Sequence, residues 1–222
     1  MAMKGNIHTR AIAVLVVGYI VGLIAYPNLP GPFLDEKISA RIMVAFTLPT
    51  TALVIYTLFR SLWKHDRIRS GNGAFEATYH AIVLRTLLFV LALHALVMIE
   101  LTGAMDAVGF HLSPGRAVVV LLGVVLVAIG NLLPRTRPNV AVGVRTRRTL
   151  TNAQLWQQVH RAGGYATVGL GIVIAVTGLV LSHEAVGAVI SAAALFAAVT
   201  VFVSYRKYVR AGITAAGRAK PA

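Results

Sequence analysis

Seven histidines, seven carboxylates and no cysteine set what chemistry this 222-residue chain could perform. Without thiols there is no disulfide framework, thiolate nucleophile, thiolate-held zinc or iron–sulfur cluster. Histidines are the remaining haem or metal ligands, and a bis-histidine haem needs two of them at similar depth on facing helices. His8, His65, His80 and His160 fall at one end of the apolar stretches and His111 and His183 at the other, so His94, alone within a stretch, has no partner at its depth. A shallow haem or divalent ion between His80 and His160 is the arrangement left open. His183-Glu184 begins a zinc-protease pattern, but Gly187 stands where the second histidine belongs. Gly103, Gly109 and Gly115 are followed by no Gly-Lys-Ser/Thr, so no P-loop is written. Ser113 precedes Pro114 and Ser182 precedes His183, which defines no base in space, and no paired-carboxylate site is visible. The expectation is a protein with no catalytic residue, no metal and no cofactor, and not an enzyme.

The elements that position these residues are membrane helices. The chain is 57% hydrophobic and 13% charged, with a mean hydropathy of +0.76, against about 45–50% and about 25% for an ordinary soluble domain. Stretches of about 20 apolar residues, enough to cross a bilayer core of about 30 Å, occur at 9–26, 42–63, 80–101, 116–133, 164–181 and 185–205. The first could pass for a secretory signal, but Tyr26-Pro27-Asn28-Leu29-Pro30 is a poor small-residue cleavage site, so it is read as a span. The fold class expected is an all-α polytopic membrane protein with six transmembrane helices, divided into an N-terminal three-helix region (1–112) and a second (113–222).

Sorting the charges by loop gives an orientation. One side carries the great majority of the basic residues, among them Lys4, Arg60, Lys64, Arg67, Arg69, Arg135, Arg137, Arg145, Arg147, Arg148, Arg206, Arg218 and Lys220. The other holds Lys37, Arg41 and Arg116 with Asp35, Glu36, Glu100, Asp106 and Glu184. Loops retained in the cytoplasm carry the positive excess, so both termini are expected there. The net charge of +14 then reflects topology and attraction to anionic membrane lipids, with no direct nucleic-acid binding. Small residues suit close helix packing within one monomer: Gly18 and Gly22 in the first span, Gly169 and Gly171 in the fifth, and Ala192, Ala193, Ala194, Ala197 and Ala198 in the sixth.

Polar groups inside a bilayer are expensive and mark positions to explain. The third span carries Arg85, near one end and able to snorkel, Glu100 at the opposite rim, and His94 about two thirds of the way across. The fourth connection, 134–163, is long for such a bundle, and long loops are usually functional or disordered. Alternating Val140, Val142 and Val144 suggest a short extended segment, with Gly143 at a close approach or turn. A short amphipathic interfacial helix is expected next, N-capped by Thr151 with Gln154 completing a capping box and Leu150 stapling to Leu155, and running to about Arg161. Leu155, Trp156 and Val159 form its apolar stripe, with Trp156 at headgroup depth.

Along this connection, Gly130-Asn131, Arg137-Pro138-Asn139, Gly143-Val144-Arg145-Thr146, Thr149-Leu150, Trp156 and His160-Arg161-x-Gly163-Gly164 together resemble the signature of the SdpI membrane family. The resemblance covers mainly residues 115–178. Two departures stand out: Arg147 follows the Arg-Thr pair where many relatives have proline, and Asn152-Ala153-Gln154 precedes the tryptophan where they carry an acidic residue. The resemblance implies a six-span, non-enzymatic immunity and signalling protein of the bacterial plasma (inner) membrane that confers resistance to a secreted antimicrobial peptide or toxin, in a family whose founding member also captures a cytoplasmic regulatory protein. It marks Asn131, Asn139, Gly143, Arg145, Thr146, Trp156, His160, Arg161, Gly163 and Gly164 as motif or partner-binding positions. Chemically, Arg145 and Arg161 suit lipid phosphate or an acidic partner, and Asn139 and His160 could hydrogen-bond unpaired loop backbone. The alternative is an accessory subunit of a larger membrane complex, or a small transporter using His94.

Overall fold

The computed structural model describes residues 3–29, 39–70, 76–104, 113–181 and 183–218, without the side chains of 3–7, 39, 66–70, 183, 184, 186 and 212–218. Asp35, Glu36, Lys37, Asp106, Gly109, His111, Ser182 and Lys220, and the side chains of Lys4, Arg67, Arg69, His183, Glu184 and Arg218, lie outside that description. Among the described residues there are seven helices and no strand: α1 (Met3–Ala25), α2 (Ser39–Ser70), α3 (Glu76–Leu101), α4 (Pro114–Gly130), α5 (Arg147–Thr151), α6 (Ala153–Val180) and α7 (His183–Arg218). Six are long and apolar enough to cross a membrane; only the five-residue α5 is not. In hydrocarbon every backbone polar group needs an internal partner, and a helix supplies it locally.

Helices α1, α2 and α3 pack mutually, α4 packs on α6, α6 on α7, and α3 joins the sets by contacting α4. Where α1 meets α2, Pro49 interrupts α2. Lacking an N–H, it leaves the carbonyl of Ala45 without its donor four residues on. Gly22 brings the α1 backbone directly against that Ala45 carbonyl, where any side chain would collide.

Glycines at seven-residue spacing set the α4–α6 contact. A Cβ at Gly123 would lie 2.5 Å from the Gly171 carbonyl oxygen, and one at Gly171 2.6 Å from the Gly123 oxygen. One heptad toward the loop, a Cβ at Gly164 would lie 2.9 Å from the Gly130 oxygen; one heptad the other way, Gly178 lies against Val119. Without a hydrophobic drive inside lipid, this backbone-to-backbone approach maximises van der Waals contact.

Arg85 does not snorkel along its own helix: its Nη1 donates to the Ala128 carbonyl of α4. The Leu132 amide, which would satisfy that carbonyl in a longer helix, bonds Ile129 instead, so Arg85 supplies the missing donor at a helix C-terminus, where a cation is favourable. His94 is fully buried, lines a small cavity with Gly18 and Pro49, and finds no hydrogen-bond partner for either ring nitrogen among the described residues. At the loop end of the first three helices, Tyr56, Trp63 and Tyr79 form a buried cluster, against which Ala141 of the fourth connection packs.

A methyl group placed on Gly169 would meet nothing within 4 Å, whereas one on Gly171 would meet backbone. Gly171→Ala should therefore destabilise the protein by about 1–3 kcal/mol, while Gly169→Ala should be neutral or stabilise by up to about 1 kcal/mol. Thermal unfolding in detergent micelles distinguishes them; equal midpoints would refute the close packing.

Candidate functional site

The connection between α4 and α6 is built around two saturated side chains. Asn139, 2% exposed, uses its full capacity: Nδ2 donates to the carbonyls of Arg137 (2.7 Å) and Val142 (3.3 Å), and Oδ1 accepts from the amides of Ala141 (2.9 Å) and Val142 (2.8 Å). A short amide side chain can thereby fold four residues of backbone around itself, replacing the pairing a strand would provide. The alternating valines accordingly form a tight bend and not an extended strand.

His160 is the second. The Val144 amide donates to its Nε2 (3.0 Å), and its Nδ1 faces the Trp156 carbonyl at 2.8 Å. An amide only donates and a carbonyl only accepts, so Nδ1 carries the proton and the ring is neutral. Both nitrogens are spent, which leaves His160 no lone pair for a metal in this arrangement. The ring lies flat on Trp156, with centroids 3.9 Å apart and planes at 13°. Gly143, at φ +109°, carries the loop over the ring edge; a side chain there would run into Nε2.

The helix start differs from the sequence expectation. Thr146 is an N-cap, and it and Thr149 complete a capping box that opens α5: each hydroxyl accepts the other's amide, at 3.2 and 2.9 Å. Thr151 is not the cap, because its hydroxyl donates back to the Arg147 carbonyl. Asn152 turns the chain out of helix at φ −130°, ψ 105° and caps α6, accepting from the Leu155 amide at 2.9 Å. The separate interfacial helix to Arg161 is therefore not an element of this fold: residues 153–161 are the first turns of α6. Trp156 does not face headgroups either. It is fully buried beneath the loop, its Nε1 donating to the Thr136 hydroxyl at 3.2 Å.

Of the other motif positions, Gly163 and Gly164 are buried on α6, Gly164 against Pro134 and the Gly130 carbonyl. Arg145 is exposed and donates to the Val140 carbonyl; Arg161 is exposed and reaches the Tyr165 hydroxyl at 3.4 Å. Asn131 ends α4 through its backbone, outside the loop cluster. Arg85 and His94 are likewise elsewhere, on α3. Two participants escape a reading of the sequence: Thr136, under Trp156, and Tyr205 of α7, whose hydroxyl donates to Thr146 Oγ1 at 3.3 Å. Isolated hydroxyls in or beside apolar helices give no signal without knowing what they face, whereas the glycine heptad 164, 171 and 178 was there to be found.

Gly143→Ala combines a positive φ, worth about 1–3 kcal/mol of strain, with displacement of the His160 ring. Faster tryptic cleavage between Arg145 and Arg148 is expected; cleavage at the parent rate would count against the lock. Trp156→Phe and Thr136→Val should each cost about 1 kcal/mol, and the double variant little more than either. Additive losses in thermal unfolding would show that the two do not share a bond.

Residues 135–205 match the SdpI/YfhL protein family. The matched segment starts beside Thr136 and ends on Tyr205, so it encloses the lock from one anchor to the other. The chain is also similar to the immunity protein SdpI of Bacillus subtilis (strain 168), with 22% identity over 213 residues, covering 93% of this chain and 97% of that protein. No solved structure matches it. In the six-helix membrane protein described above, it is thus the loop and the helices that hold it that are similar to the SdpI/YfhL protein family.

Proposed function

We propose that this protein is a non-enzymatic membrane immunity protein, conferring resistance to a secreted, membrane-active peptide. The observation that carries this reading is how the motif's polar side chains are used. Asn139, Thr146, Thr149 and His160 are all committed to holding the loop backbone in place. A catalytic site needs a nucleophile, acid or base aimed at a substrate; this loop instead offers a fixed shape with Arg145, Arg147 and Arg148 exposed on it. Ala141 supports communication between the two sets of helices, since it packs the loop against the buried core of the first three, which includes Tyr56, Trp63 and Tyr79. In this reading the protein lies in a bacterial plasma membrane with both termini and the loop in the cytoplasm, where the arginines can meet a regulatory protein. The alternative role, as an accessory subunit or small transporter, is favoured by His94 alone, buried at depth without a partner among the described residues. It requires His94→Leu to abolish substrate movement in reconstituted vesicles.

Expression in a peptide-sensitive host tests the immunity reading. The parent chain should raise survival under peptide challenge, and His160→Ala and Gly143→Ala should remove that protection at equal membrane abundance. Survival independent of the protein would defeat the proposal. Because the chain has no cysteine, Arg147→Cys gives a single labelling site: an impermeant maleimide should reach it only after the cells are opened.

A further inference from the structure

Helix α7 is the least buried of the six apolar helices, resting on α6 and on the loop. A groove of about 600 Å³ lies between α6 and α7, within the range of ligand sites of roughly 300–1,000 Å³. Its walls are apolar, from Ala194, Ala198 and Phe202 on α7 to Leu170 on α6. One end is polar, closed by Thr146 of the loop and Tyr205, whose hydroxyls bond each other. From Ala194 to Tyr205 a helix rises about 16 Å, which is half of a hydrocarbon core of about 30 Å. The groove is therefore one leaflet long.

Two arginines lie beside its polar end in the chain: Arg206, next to Tyr205, stacks over Phe202, a wall residue, at 5.8 Å, and Arg145, exposed next to Thr146, donates to the Val140 carbonyl and keeps further N–H donors. From residue 113 onward the sequence contains one carboxylate, Glu184, at the opposite end of α7. An apolar slot of leaflet length, ending beside guanidinium groups and with no acid from its own half of the chain at that end, complements a phosphate head joined to an acyl chain. We propose that the α6–α7 groove is a specific site for one anionic phospholipid, an acyl chain lying along Ala194, Ala198 and Leu170 and its phosphate held by Arg145 and Arg206. The lipid would then contact the loop directly through Thr146 and through Val144, whose amide His160 holds. This inference does not depend on the immunity reading.

The full chain in nanodiscs of phosphatidylcholine, doped with phosphatidylglycerol carrying a diazirine in its acyl chain, provides the test. Photolabelling should fall on the 194–202 segment of α7 and be competed by unlabelled phosphatidylglycerol in preference to phosphatidylcholine, by roughly fivefold per arginine engaged. Ala198→Trp, which fills the slot, should abolish the labelling. Arg145→Gln with Arg206→Gln should bring the two lipids to parity, and Arg206→Gln alone, which leaves the Arg145 bond to the Val140 carbonyl in place, should lower the preference about fivefold with the unfolding midpoint unchanged; this single variant keeps the test readable should the tryptophan variant fail to fold. Equal competition by both lipids in the parent, or labelling spread evenly over all helices, would overturn the site. So would displacement of the label by a second copy, seen as an efficient Ala194→Cys intermolecular disulfide, or by an added hydrophobic peptide with no lipid preference.

Discussion

One hydrogen bond organises the second half of this molecule: the Val144 amide donating to the neutral imidazole of His160. An unpaired backbone amide in a buried setting costs as much as a lost hydrogen bond, so an irregular segment at the head of a membrane bundle must find acceptors on side chains. His160 can accept because its other nitrogen is held by the carbonyl of Trp156, one helical turn earlier, which fixes the tautomer. Gly143 can deliver the amide because it has no Cβ to collide with the ring. Trp156 supports the ring face and hands its own N–H to Thr136, just beyond α4, while Tyr205 pins Thr146 from α7. The loop is thereby joined to both helices that flank α6.

The demand of helix-end carbonyls for donors also accounts for several arginines. Arg85 caps the last turn of α4 from α3, Arg116 reaches the Leu181 carbonyl at the end of α6 (3.3 Å), and Arg41 reaches the Leu29 carbonyl after α1 (3.1 Å). Arg41 and Arg116 are basic residues on the otherwise acidic side of the charge partition. Their bonds to helix-end carbonyls give each a structural reason to be there, independent of orientation. The arginines of the fourth connection are exposed on its surface, and of these Arg145 also donates to loop backbone, at the Val140 carbonyl.

Close approach of backbones makes such capping geometrically feasible. Gly123, Gly130, Gly164 and Gly171 let α4 and α6 touch along their length, which brings Pro134 and the loop down onto α6 at Gly164. Gly22 does the same for α1 against the carbonyl released by Pro49. Helices that cannot rely on water to drive them together gain most of their association from contacts of this kind. α7 lacks an equivalent, since its alanine-rich face meets α6 on one side only, and it stays open to lipid along most of its surface.

The six apolar helices are legible in the sequence because length and hydropathy alone decide whether a segment can cross a bilayer, and the motif from Asn139 to Gly164 is legible because its spacing is distinctive. The start of the helix after the loop is not: Thr151, Asn152 and Gln154 all carry cap-type side chains, and which of them caps depends on where the chain must bend to seat Gly143 on His160. Trp156 reads as a headgroup residue because an amphipathic stripe cannot say whether its apolar face meets lipid or protein. What the sequence determined by itself was therefore the set of helices and the residue types of the lock, both being local properties. The packing of the helices settled that the lock closes on itself, that Arg85 serves another helix, and that His94 is buried facing Gly18 and Pro49, because each depends on what lies more than fifteen residues away in the chain.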